Sequence, residues 1–219
     1  LLIMAYLKIY SSMSGYVGLS INTLVKRIGY KPDRHDGKIN SIVTKTLIDL
    51  EKMGQIFILD NFDKINSNEC FIIQINDESE LFYPESDYVI LSENEFNTIV
   101  NTSEKCDRQD LLNVFLNIKK YINMGKDFNK ACYPSHKTLC RDCNISSTGT
   151  INKLTDVLVN IGLLYKYNSG KYIDSKGKVK FANSFYALEQ DSLDQNACDE
   201  LIKSYYSSQG IVIDNFIKQ

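Results

Sequence analysis

The residues from Tyr133 to Tyr167, YPSHKTLCRDCNISSTGTINKLTDVLVNIGLLYKY, carry so many start and stop signals that the backbone is left few options. Pro134 and Ser135 form a helix-start signal, and Leu139 falls on the inward side of the short helix that follows. Asn144-Ile145-Ser146-Ser147 is a polar break that ends this helix and supplies a fresh N-cap for the next. From there Ile151, Leu154, Leu158 and Ile161 recur at helical spacing as one apolar stripe. Gly162 occupies the C′ position, where a left-handed residue is favoured. Leu163 to Tyr167 then reads as the first strand of a hairpin whose return strand lies between Lys178 and Leu188.

The first 75 residues repeat this plan. Leu2 to Ser12 reads as a helix with Leu2, Ala5 or Tyr6, and Ile9 turned inward. Ser20 caps a second helix in which Thr23-Leu24 correspond to Thr138-Leu139. A polar loop from Tyr30 to Gly37, longer than its later counterpart, leads to a third helix that ends before Gly54. Superposing Gly54 on Gly162 shifts the numbering by 108 and aligns Val43 with Ile151, Leu50 with Leu158 and Met53 with Ile161. Gln55–Leu59 and Cys70–Ile75 read as two strands. The chain is thus expected to hold a diverged internal duplication of a unit of roughly 75 residues.

The order Pro134-Ser135, Thr138-Leu139, Ile145-Ser146, then Leu154, Leu158 and Ile161-Gly162-Leu163-Leu164 resembles the winged helix-turn-helix family. The resemblance implies a mainly α (α+β) fold of two tandem winged helix-turn-helix units with small β-hairpin wings. The expected boundaries are residues 1–75 for the first unit, 76–104 for an acidic, structured connector, 105–188 for the second unit and 189–219 for a C-terminal helical tail. Within the connector, Asp87 to Leu91 is a candidate short strand, and Ser92 with Glu95 is a capping-box signature. In the second unit Leu111, Phe115, Ile118 and Ile122 share one helical face. The final GIVIDNFIKQ is an apolar segment suited to covering a core edge or pairing with a second subunit.

The net charge of −2 conceals a segregation. Residues 105–188 hold fourteen basic and six acidic side chains, a net of +8, whereas 76–104 hold no basic residue and eight acidic ones. Such a basic segment is the electrostatic footprint of a polyanion partner. In the winged-helix pattern the third helix lies in the major groove. The residues it would present are Ser146, Ser147, Thr148, Asn152 and Lys153 in the second unit, and Asn40, Ser41, Thr44 and Lys45 in the first. Asn pairs bidentately with adenine, Lys reaches guanine acceptors, and hydroxyls serve bases or phosphates. Lys171, Lys176, Lys178 and Lys180 on the second wing suit backbone phosphates. The first wing, with Asp60, Asp63, Lys64 and Glu69, is far less basic. The expected function is non-catalytic, sequence-specific binding of double-stranded DNA. The tandem arrangement looks like that of replication initiators of plasmids and mobile elements. A transcriptional regulator, or a protein-interaction module without DNA binding, is the alternative. A homodimer is a candidate assembly.

Cys132, His136, Cys140 and Cys143 have the ligand types for a zinc site, but on one short helix they would not easily converge tetrahedrally. Core packing is the preferred reading, and neither a metal nor a cofactor is expected. His35 and His136 lie in no catalytic context, no phosphate-binding glycine loop occurs, and Glu93 and Glu95 read as a helix start. The six cysteines without a secretory signal read as reduced thiols in a cytoplasmic protein with no membrane partner. Because the sequence begins at Leu1, its register is expected to start inside a longer product.

Overall fold

The computed structural model describes residues 1–33, 35, 37–60, 62, 66–76, 89–124, 131–168, 170–173, 177–191, 194–208 and 216–217. It is an α+β structure that divides into two compact units, Leu1–Leu112 and Asn113–Gln219. Among the described residues no helix is long and apolar enough to cross a membrane.

Unit 1 runs α1 (Leu2–Tyr10), β1 (Tyr16–Leu19), α2 (Ile21–Arg27), α3 (Ile39–Lys52), β2 (Ile56–Ile58), β3 (Phe71–Ile75) and α4 (Glu93–Val100). Its antiparallel sheet has the order β1-β3-β2, so the central strand is the last one made. Phe71, Ile73 and Ile75 point from β3 into a core shared with Leu7 of α1, Leu24 of α2 and Leu47 of α3. α4 starts with a complete capping box between Ser92 and Glu95. Burial of Phe96, Ile99 and Val100 makes it part of this unit. Phe96 lies 6.4 Å from the Tyr6 ring, and the Tyr10 hydroxyl donates to Asn97 Oδ1 at 2.9 Å. The segment expected as a connector therefore contributes a core helix to unit 1. Of the candidate strand at Asp87 to Leu91, residues 89–91 are not in a strand, and 87–88 lie outside the described residues.

α5 (Arg108–Met124) follows, and its residues from 113 onward belong to unit 2. Unit 2 continues with β4 (Ala131–Cys132), α6 (His136–Asp142), α7 (Thr148–Asn160), β5 (Leu164–Tyr167), β6 (Lys171–Ile173), β7 (Val179–Phe181), β8 (Phe185–Leu188), α8 (Gln195–Ser208) and β9 (Phe216–Ile217). The sheet order β4-β8-β5 repeats that of unit 1, again with the later strand in the middle. Between β5 and β8 is inserted the hairpin β6–β7, and β9 pairs with the free side of β6 through Lys171↔Ile217 and Tyr172↔Phe216. Phe216–Ile217 of the apolar C-terminal segment thus add a short strand within their own chain, and the rest of that segment lies outside the described residues. α8 packs Ile202 and Tyr206 on Phe185, with Tyr133, Tyr167, Tyr172 and Tyr205 around them. Tyr167 donates to Asp199 Oδ1 at 2.6 Å, which fixes the base of the hairpin to α8.

The local hydrogen bonding is also duplicated. Ser20 Oγ accepts from Thr23 N at 3.2 Å and meets Thr23 Oγ1 at 3.0 Å. Ser135 Oγ accepts from Thr138 N at 3.1 Å and meets Thr138 Oγ1 at 2.8 Å. Each such cap contributes about 1 kcal/mol to holding its helix start. Both short helices end in a left-handed residue, Gly29 at φ +87° and Asn144 at φ +54°. Both long helices end before a left-handed glycine, Gly54 and Gly162. The two short strands β1 and β4 are elements that the sequence pattern does not announce. Burial in the helices also departs from expectation in places. Met53 is 57% exposed where Ile161 is half-buried, and in α1 the buried residues are Leu2, Ile3, Tyr6 and Leu7, with Ile9 only half-buried.

Gly29 carries a second constraint, because a Cβ there would sit 2.3 Å from the Val100 carbonyl oxygen of α4. Gly29→Ala is therefore expected to cost about 2 kcal/mol or more, from left-handed strain plus loss of the α4 contact. Gly54→Ala has φ +68° but nothing within 4 Å, and should cost only about 1 kcal/mol. Urea unfolding of the two variants tests this, and equal losses would remove the role given to Val100.

Candidate nucleic-acid interface

α7 is capped by Ser147, whose Oγ accepts from Thr150 N at 3.4 Å. Ile151, Leu154, Val157 and Leu158 turn into the core, so the opposite side of the helix is left to solvent. Ser146, Ser147, Thr148, Gly149, Thr150, Asn152 and Lys153 are all exposed there. This row is polar and rich in hydrogen-bonding groups, and the amide-bearing start of a helix favours an anion.

The equivalent row of unit 1 differs. Asn40 was expected to face outward, but it is 3% exposed. Its Nδ2 donates to Asn22 Oδ1 at 2.7 Å and its Oδ1 accepts from Asp33 N at 3.0 Å. Asn40 thereby satisfies the backbone N–H of Asp33 in the loop before α3. Asn40 is thus a structural residue. Ser41 and Thr44 are half-buried, and Lys45 is exposed.

Asn152 is not a free side chain either. Lys166, on β5, projects inward with its side chain 15% exposed, and its ammonium donates to three acceptors on α7. These are Asp156 Oδ1 at 2.7 Å, Asn152 Oδ1 at 2.9 Å and Thr155 Oγ1 at 3.2 Å. Asn152 Nδ2 in turn donates to Asp156 Oδ2 at 3.2 Å. Below them Tyr186 is fully buried, and its hydroxyl meets His136 Nε2 at 3.1 Å. Burial pushes the Tyr186 hydroxyl up to about 12, against the hydrogen bonds from Thr155 and Ser184 that pull it down. Burial, and then the Lys166 charge, hold His136 below its ordinary value, with Asp156 opposing them.

The same register in unit 1 is apolar. The helix–strand shift of 108 places Leu47 where unit 2 has Thr155, Ile48 where it has Asp156, and Ile58 where it has Lys166. Strand pairing matches Ile58 with Ile73 and Lys166 with Tyr186, and the helix caps match Ile21 with His136. Unit 2 therefore replaces a patch of hydrocarbon core with a connected polar network. Lys166 is not among the residues that motif and charge single out, although strand alternation gives a signal. It lies two residues from the buried Leu164 and so on the same face.

The lysines of the hairpin occupy two strands. Lys171 of β6 is half-buried, with its ammonium 5.0 Å from the Phe181 ring centroid, whereas Lys178 and Lys180 are exposed on or beside β7. Lys176 lies outside the described residues, as do Asp63 and Lys64 between β2 and β3.

The cysteines sit apart from this surface. Cys132 is buried on β4 with Sγ 3.6 Å from the Ile118 carbonyl oxygen, and burial raises its thiol pKa. Cys143 is buried at the end of α6, where its carbonyl accepts from Asn113 Nδ2 at 2.9 Å. Cys140 is half-buried, and His136 is engaged with Tyr186. Among the described residues no group of three or more His, Cys, Asp or Glu is placed to hold a metal ion. Glu95 serves the α4 cap, accepting from Ser92 N at 2.8 Å. Comparison of the chain with protein-family models, with curated proteins and with solved structures gives no match.

His136 makes the stability of unit 2 depend on pH. Its folded pKa lies below the unfolded value of about 6.5, so below that pH the unfolded chain binds more protons than the folded one. The stability is complete above about pH 6.5 and is lost as pH falls through the window below it. Thermal midpoints from pH 7 to 5.5 should therefore decline in the native chain and decline less in His136→Gln. Parallel curves would remove His136 as the cause.

Proposed function

We propose that this chain binds double-stranded DNA sequence-specifically and without catalysis, as a replication-initiator-like or regulatory protein. The observation that carries the reading is the exposed polar start of α7, in a unit that also presents Lys171, Lys178 and Lys180 on a hairpin. The reading is supported by the pair of helices in each unit, α2–α3 and α6–α7, followed by an antiparallel strand that pairs with a later, central one. In this reading α7 lies in the major groove, with its hydroxyls and amides on phosphates and Asn152 and Lys153 at base edges. The hairpin lysines neutralise phosphates without reading sequence.

Unit 2 is the DNA-reading unit, because Asn40 is buried in unit 1 and the first wing has the single lysine Lys64 against four on the second. One observation favours a protein partner for unit 1. Tyr16, Phe57, Leu59 and Ile72, on and beside its sheet, are 40% to 54% exposed. A protein-interaction role, which includes a homodimer, is thus the second reading, and it would be the leading one if duplex DNA were not bound.

The test is duplex binding against salt concentration. Affinity should fall steeply between about 50 and 200 mM salt. Replacing Lys176, Lys178 and Lys180 with Ala should weaken binding to all sequences alike and reduce the slope by about one for each phosphate contact removed. Absence of binding at low salt, or a slope indifferent to these lysines, would overturn the proposal.

A further inference from the structure

Asn152 is the side chain of the α7 row whose chemistry the fold constrains most, and this inference rests on the DNA-binding reading above. A free asparagine amide turns either way and offers both an acceptor and a donor, which is how it recognises adenine at two points. In unit 2 its two ends are held by groups that leave no choice. Lysine only donates, so the atom 2.9 Å from Lys166 Nζ is the carbonyl Oδ1. A carboxylate only accepts, so the atom 3.2 Å from Asp156 Oδ2 is the amino Nδ2. Lys166 and Asp156 are themselves paired at 2.7 Å, which closes a ring of three side chains on one face of α7.

We propose that Lys166 is a positioning residue that fixes the Asn152 amide with its carbonyl turned inward and its second N–H turned to solvent. Asn152 then acts as a hydrogen-bond donor. It selects a base edge that offers acceptors alone, guanine N7 and O6 or thymine O4, and disfavours two-point pairing with adenine. This corrects the pairing that the residue type alone leads one to expect. The apolar counterpart Ile58 in unit 1 cannot orient Thr44 in this way, so the specificity belongs to unit 2.

The test has one arm that needs no DNA. In the full chain, the Asn152 side-chain NH2 resonances, assigned by their loss in Asn152→Ala, should shift toward free-amide positions in Lys166→Met. They should stay near their original positions in Lys166→Arg, which keeps a donor at the site. Thermal unfolding of each variant shows that the fold is kept, and Met suits a register that unit 1 fills with Ile58. In the second arm, each protein selects from a pool of randomised duplexes at low salt. The native chain should enrich guanine or thymine at the position whose preference Asn152→Ala abolishes. Lys166→Met should relax that position roughly tenfold with an unchanged salt slope, and Lys166→Arg should restore it. Adenine at that position, undiminished preference in Lys166→Met, or unmoved NH2 resonances would each overturn the proposal. If the native chain bound no duplex at all, the DNA-binding reading and the base selection would fall together. The resonance arm would still decide whether Lys166 orients Asn152.

Discussion

Each unit closes on a strand that arrives late in its own sequence. β3 lies between β1 and β2, and β8 lies between β4 and β5, so neither sheet exists until the final strand is placed. The central strand of each unit supplies buried side chains to the core that its helices share. Phe71, Ile73 and Ile75 in one unit, and Phe185 to Leu188 in the other, are buried. Burying a large apolar side chain stabilises by about 2 kcal/mol, so these strands account for a substantial part of each core. The helix caps, at about 1 kcal/mol each, position the elements but do not hold them together.

On this shared frame the two units differ in what fills the space beneath the long helix. Unit 1 fills the space between its helices and sheet with Ile21, Leu47 and Ile73, whereas unit 2 puts His136, Thr155, Lys166 and Tyr186 there. A buried phenol or a largely covered ammonium is tolerated only if its hydrogen bonds are made, and here they are. Lys166 has three acceptors, and Tyr186 has His136 at 3.1 Å. The network holds Asn152 of the α7 row on two hydrogen-bond partners, which an apolar patch cannot do. The hairpin is braced separately, by the aromatic packing of α8 and by the pairing of β9 with β6.

Much of the local structure was legible in the residues. Ser20, Ser92 and Ser135 cap helices, Gly54 and Gly162 end them in the left-handed region, and the stripe through Ile151, Leu154 and Leu158 is buried. What was hidden is of two kinds. β1 and β4 are too short for alternation to register, and their pairing partners lie tens of residues away. The burial of Asn40 and the exposure of Met53 depend on a loop and a surface that no local pattern specifies.

The candidate interface divides in the same way. The sequence by itself determined the turn and the capped helix after it, the polar residues at that helix's start, and the concentration of lysines in residues 105–188. It could do so because caps, left-handed turns and amphipathic spacing are interactions between residues a few positions apart. Only the tertiary structure decided which of those polar groups are available. Lys166 reaches Asn152 across fourteen residues and Tyr186 reaches His136 across fifty, once the sheet is in place beneath α7. The orientation of a single amide is therefore set by strand pairing, and residue type alone leaves it open.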